Sequence, residues 1–118
     1  MIAELESAKR LWDTLSAVLT PVGTACWEWL DIRNGVALIT PATREQFVPQ
    51  MANMDLIGAL NFQKGCYPGQ EIVARAQYRG QVKRRMVQMQ GAARPGEEFN
   101  GGTVVDAARG ELLVVAPV

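Results

Sequence analysis

The sequence predicts an α+β protein, with helical patterns dominating residues 1–80 and short antiparallel strands filling residues 81–118. Three observations carry this reading. Leu5, Ala8, Leu11, Trp12, Leu15, Val18 and Leu19 recur at three- and four-residue steps, the period of an amphipathic helix. A glycine-bounded turn over residues 64–69 feeds a second helical pattern. After Gly80 the texture changes to Val- and Leu-rich runs separated by Pro95-Gly96 and Ala108-Arg109-Gly110, the punctuation of strands and turns. The boundary between the two segments is placed near Gly80.

The elements follow in order. Pro21 and Gly23 end the first helix. Thr24 is suited to cap a second, with Glu28 near its first turn, Cys26, Trp27 and Leu30 on its buried side beside Trp29, and Gly35 as its stop. Residues 36–40 read as a short buried strand between Gly35 and Pro41. Phe47-Val48-Pro49-Gln50 is expected to be extended, because the residue before a proline avoids the helical region, and residues 54–60 to form one helical turn. Pro68 suits the first position of a third helix, where its missing N–H costs nothing. That helix continues over residues 71–78 with Ile72, Val73 and Ala76 inward and Glu71 paired to Arg75 one turn on. Residues 82–89, 102–106 and 111–116 are the strands. No internal repeat is visible.

Composition narrows the function classes. In 118 residues, 48% are hydrophobic, so a packed core is expected rather than disorder. Apolar runs such as residues 112–118 are far too short to cross a bilayer, and the acidic start Met1-Ile2-Ala3-Glu4-Leu5-Glu6 is unlike a signal peptide. A cytoplasmic protein without membrane contact is the expectation, its Cys26 and Cys66 unbridged. The chain has no histidine, which excludes Ser-His-Asp and Cys-His catalysis within it and any histidine-based metal site. Two isolated cysteines cannot hold a zinc or a conventional iron–sulfur cluster, so no metal site is expected, although Cys66 could serve as one ligand of a cluster shared with a partner.

Formal net charge is zero, but Lys64, Arg75, Arg79, Lys83, Arg84 and Arg85 face only Glu71 between residues 64 and 85, a local charge of +5. Three readings of this stripe stand: a solvated face, an anion site in which Arg75 and Arg79 bind a phosphate or a folate glutamate tail by forked bonds, or a nucleic-acid surface. The last lacks interleaved aromatics beyond Tyr67 and Tyr78.

The candidate site is Lys64-Gly65-Cys66-Tyr67-Pro68-Gly69-Gln70-Glu71. It sets Cys66 two residues after an ammonium group and just ahead of a helix start, and both favour thiolate over thiol. The alternative is a small, buried cysteine in a turn. Gly65 and Gly69 read as backbone requirements, Gln70 and Glu71 as groups that cap the turn, and Tyr67 either as a stacking surface for a ligand or as packing on the helix.

This octapeptide, continuing into IVARAQYRGQVKRR, resembles the signature of YgfZ-type folate-binding proteins in the aminomethyltransferase (glycine-cleavage T-protein) superfamily. Gln46-Phe47-Val48-Pro49-Gln50-Met51-Ala52-Asn53 resembles that family too, and Trp29-Leu30-Asp31-Ile32 does so more loosely. The resemblance implies a partial middle α+β domain of the aminomethyltransferase-like fold, followed by the opening strands of an incomplete barrel, taken from the C-terminal part of longer relatives. It makes Cys66 and Lys64 the working residues.

The implied function is assistance to iron–sulfur enzymes in cluster assembly or repair, with an indirect effect on tRNA modification and no direct nucleic-acid contact. Partners would be iron–sulfur client proteins and, through the sheet edges, a second copy of the chain. Two alternatives stand beside it: a tetrahydrofolate-dependent aminomethyl transferase, and an inactive dimerising remnant. The implied cofactor is tetrahydrofolate. Relatives carry a glutamate for the pterin where this chain has Arg33-Asn34-Gly35, and an arginine offers only donors. Asp31, two residues away, is the available replacement. The chain alone is expected to bind folates weakly or not at all.

Overall fold

The computed structural model describes residues 3–78 and 80–118. Three helices, α1 (Leu5–Ser16), α2 (Thr24–Arg33) and α3 (Gln70–Tyr78), precede four strands, β1 (Arg84–Gln90), β2 (Glu98–Phe99), β3 (Gly102–Ala108) and β4 (Glu111–Pro117). The α+β class expected from the sequence is what forms, and the strands make one antiparallel sheet in the order β1-β4-β3-β2.

β4 lies at the centre of the sheet and is apolar on both faces. Leu113 and Val115 join Met86, Val105, Ile32 and Ala52 in one buried cluster. Leu112 and Val114 join Val104 in a second, with Phe99, Ala93 and Met89 packed against it. Successive residues of a strand point to opposite faces, so a run such as Leu112-Leu113-Val114-Val115 reads as one covered on both sides. The register shifts between Val104 and Asp106. This bulge, an extra residue in one strand that lets neighbours turn to one face or the other, accompanies the burial of consecutive Val104 and Val105.

Ile32, wholly buried, fastens α2 to the sheet. Gly35 ends this helix as expected: its φ is +70°, its N–H donates to the Ile32 carbonyl at 3.0 Å, and the Val36 N–H donates to that of Asp31 at 2.9 Å. That is the paired bonding of a helix closed by a left-handed residue, which glycine adopts without strain.

Several expectations are corrected. Residues 36–40 form no strand. A strand needs a neighbour to complete its ladder, and here the Leu38 N–H instead donates to the Asp106 carboxylate at 2.9 Å. Residues 54–60 make turns rather than a regular helix. On α2 the presumed inner side is mostly outside: Trp27 is 66% exposed and Leu30 45%, while Cys26 and Trp29 are half-buried. Ile32 takes their place as the buried residue of α2. α1 stops at Ser16 and buries none of its residues, leaving its apolar stripe uncovered.

α3 begins at Gln70, two residues later than a start at Pro68, since Gly69 takes a left-handed φ of +84°. Its inward residue is Val73, with Ile72 62% exposed and Ala76 half-buried. A fourth strand, β2, is not expected from the sequence, since two residues carry no periodicity. No described helix is long and apolar enough to cross a membrane.

Candidate functional site

Asn61 opens the motif loop. Its Oδ1 accepts from the N–H groups of Gln63 at 2.8 Å and Lys64 at 3.2 Å, the side-chain mimic of a backbone turn that asparagine makes readily. The chain then passes Gly65 and the exposed, unbridged Cys66 to Tyr67. There it turns: the Gln70 N–H donates to the Tyr67 carbonyl at 3.2 Å, and the Tyr67 N–H donates back to Gln70 Oε1 at 3.4 Å. Gln70 thus closes the turn from both its backbone and its side chain, while Glu71 lies exposed one residue on. At the loop's base, the Phe62 ring meets Tyr78 of α3 edge-on at 6.1 Å.

The Lys64 ammonium stands over the Tyr67 ring, 4.9 Å from its centroid, a favourable cation–π placement. Cys66 lies between these two residues in sequence, four residues ahead of the start of α3 rather than two. Of the two glycines, Gly69 occupies the left-handed region. Gly65 does not, and a Cβ built on it would meet nothing within 4 Å.

Beside the loop lies a groove of about 450 Å³. One wall is Phe47, Val48, Pro49 and Met51, and the other is Tyr67, Pro68, Gly69, Ile72 and Val73. The two stretches singled out in the sequence, residues 46–53 and 64–71, therefore face each other across an apolar cleft. Tyr67 supplies part of that wall as well as the surface under Lys64.

The basic stripe breaks up in three dimensions. Arg85 donates from Nη1 and Nη2 to Asp55 at 2.7 and 2.9 Å and from Nη1 to the Gln50 carbonyl at 3.0 Å. Arg84 Nη2 donates to the Val115 carbonyl at 3.0 Å. Both arginines are committed within the fold. Lys64, Arg75 and Lys83 remain exposed, and Arg79 lies outside the described residues. Arg75 and Glu71 border a shallow hollow with Tyr78, but the ion pairs among the described residues lie elsewhere.

Asp55 and Gln50 were not singled out from the sequence. The bond from Arg85 holds the Asp55 carboxyl below its ordinary range against the opposing effect of burial. An acidic residue thirty positions before a run of arginines gives no local signal, whereas Gln50 at least sat in a stretch already marked.

Asp31 and Arg33 lie at the end of α2, away from this groove. The Arg33 guanidinium stacks on Trp29 at 5.0 Å and borders a separate hollow of about 300 Å³ with Gln88 and Glu111. Asp31 is half-buried, and its backbone carbonyl accepts from Asn34 and Val36. A pterin's amino groups need a paired acceptor. Arg33 does not fit that task. Among the described residues no three metal-ligating side chains gather where they could hold an ion.

No family model matches the chain. Curated relatives do, three among them as follows. It is 40% identical over 90 residues to the tRNA-modifying protein YgfZ of Edwardsiella ictaluri, 38% over 103 residues to that of Cronobacter sakazakii, and 37% over 93 residues to that of Klebsiella pneumoniae. The matched region is of YgfZ type. It takes in 76%, 84% and 79% of this chain respectively. The chain spans only 27–31% of the length of these YgfZ proteins.

Proposed function

We propose that this YgfZ-type chain serves as an accessory factor to iron–sulfur enzymes, with Cys66 as its working residue and an indirect effect on tRNA modification. The observation that carries the reading is the placement of Cys66: an exposed thiol in a loop built by Asn61, Gln70 and Gly69, beside an apolar cleft. An exposed thiol can act as one ligand to a cluster, or attack a sulfur centre, only on a partner that supplies the remaining ligands or the electrophile. That requirement favours a client protein over a self-contained active site. The names of the curated relatives, tRNA-modifying proteins, support the link to tRNA.

Direct contact with RNA is not part of the proposal. Arg84 and Arg85 are engaged inside the fold, which removes two cations from the surface that would have tracked a phosphate backbone. The cleft between residues 46–53 and 67–73 is the part of the chain that would meet a client's apolar side chain or a small ligand. We further assign the chain to the aminomethyltransferase-like fold, on the strength of its YgfZ-type sequence and the helices-then-sheet order.

Tetrahydrofolate, the family's cofactor, is proposed to bind this chain weakly or not at all, since Arg33 stands where a pterin-holding carboxylate is needed. When bound, tetrahydrofolate supplies one-carbon chemistry. The residues here that could touch it are Asp31 and the exposed cation Arg75.

The test is complementation. Cells lacking their own YgfZ-type protein would receive this chain, alone and together with the remaining part of a full-length relative, and iron–sulfur enzyme activity would be measured. Restoration in either arm is the expected result. No restoration in both, with the protein folded and present, would defeat the proposal.

A further inference from the structure

α3 carries the last two residues of the motif, Gln70 and Glu71, yet among the described residues it makes no extensive contact with any strand or other helix. Its anchorage runs through the irregular segment between α2 and α3. Gln50, wholly buried, donates from Nε2 to the Val73 carbonyl at 2.7 Å, and Val73 is the buried residue of α3. The backbone carbonyl of the same Gln50 accepts from Arg85 Nη1 at 3.0 Å. Arg85 belongs to β1, and its fork is fixed by Asp55 at 2.7 and 2.9 Å. One chain of bonds thus joins sheet, segment and helix: Asp55 to Arg85, Arg85 to Gln50, Gln50 to Val73.

We infer that Gln50 and Arg85 are positioning residues for the Cys66 loop, acting through α3. Three features favour this over simple packing. The bonds are short and largely shielded from water, where a hydrogen bond is stronger and an orphaned partner costs more. The Arg85 fork is planar and directional, a geometry that lysine cannot reproduce. Gln50 Oε1 is also buried and has no partner among the described protein atoms. An apolar side chain of the same length would avoid that cost, so filling the space does not explain an amide here, while the bond to Val73 does. Groups that hold a reactive side chain in place are themselves held by such a second layer of bonds.

The inference rests on Cys66 being the working residue, so its test has two arms. Amide hydrogen exchange is measured in the full chain and in Gln50→Met, which keeps the Arg85 bond to the residue-50 carbonyl and cuts only the link to α3. Arg85→Lys is the second variant, should Gln50→Met fold poorly. Exchange in α3 should quicken by about five- to tenfold, the effect of one buried hydrogen bond, with β3 and β4 unchanged. Rescue of iron–sulfur enzyme activity by the same variants should fall. Unchanged exchange in α3, or an equal rise in β4, would overturn the inference. So would quickened α3 exchange with full rescue, provided that Cys66→Ala fails to rescue. If Cys66→Ala itself rescues, the functional reading falls, and the exchange arm still decides whether this network holds α3.

Discussion

The Arg85 guanidinium grips both oxygens of the Asp55 carboxylate, at 2.7 and 2.9 Å, across thirty residues of sequence. Both side chains are mostly withdrawn from solvent, 24% and 12% exposed, so the pair is screened far less than a surface one. Hydrogen bonding to Arg85 is the main cause that holds the Asp55 carboxyl below its ordinary value. A carboxyl depressed in the folded state contributes stability that is present above its unfolded value, about 4, and is lost as pH falls through the lowered folded value.

The wild-type chain should therefore lose thermal stability on acidification below about pH 4 more steeply than Asp55→Asn. At pH 7 the variant should be less stable by about 1.5–3 kcal/mol, the range for a hydrogen bond to a charged group. Thermal melts between pH 7 and pH 2 check both. Parallel curves for the two proteins would show that the pair contributes no pH-dependent stability.

Cys66 should be alkylated well before Cys26. The first is exposed, whereas the second is half-buried on α2. Iodoacetamide labelling followed by mass spectrometry locates the adduct. Prior reaction at Cys26 would mean that the loop shields its thiol.

Folates should bind poorly. Arg33, stacked on Trp29, has no acceptor for a pterin amino group. Calorimetric titration with tetrahydrofolate should give little heat. A tight one-to-one isotherm would contradict this and direct attention to Asp31.

Self-association is expected, because β1 has a partner strand on one side only and β2, at the other edge, is two residues long. Unpaired edges template further pairing. Asn53 covers part of the β1 edge, donating to the Met86 carbonyl at 2.7 Å, so pairing of two copies has to displace or flank it. Light scattering should report a homodimer at high concentration. A monomer throughout would place the covered edge above the open one.

The sheet was legible because its strands announce themselves locally: residues 111–116 are nearly all apolar, and Pro95-Gly96 and Arg109-Gly110 mark the turns. The α2 stop at Gly35 was equally plain. Residues 36–40 misled because β-rich composition does not supply a neighbouring strand, and Asp106, which holds Leu38 instead, is distant in sequence. The inward faces of α2 and α3 were misjudged for a related reason. Periodicity gives a helix an apolar side, but which turn meets the core depends on how the helix is held, here by Ile32 and by Gln50. The motif residues were visible at once. The network behind them was not, since Asp55, Arg85 and Gln50 share no local pattern.

The most direct measurement is rescue by Cys66→Ala in cells lacking their own YgfZ-type protein, with Lys64→Ala alongside. Removing one sulfur from an exposed turn should leave the melting behaviour nearly unchanged, in contrast to a core truncation such as Leu113→Ala at about 2–5 kcal/mol. Folded Cys66→Ala should restore no iron–sulfur enzyme activity, and Lys64→Ala should restore part of it. Full rescue by Cys66→Ala would contradict the account and make the thiol a structural residue of the loop.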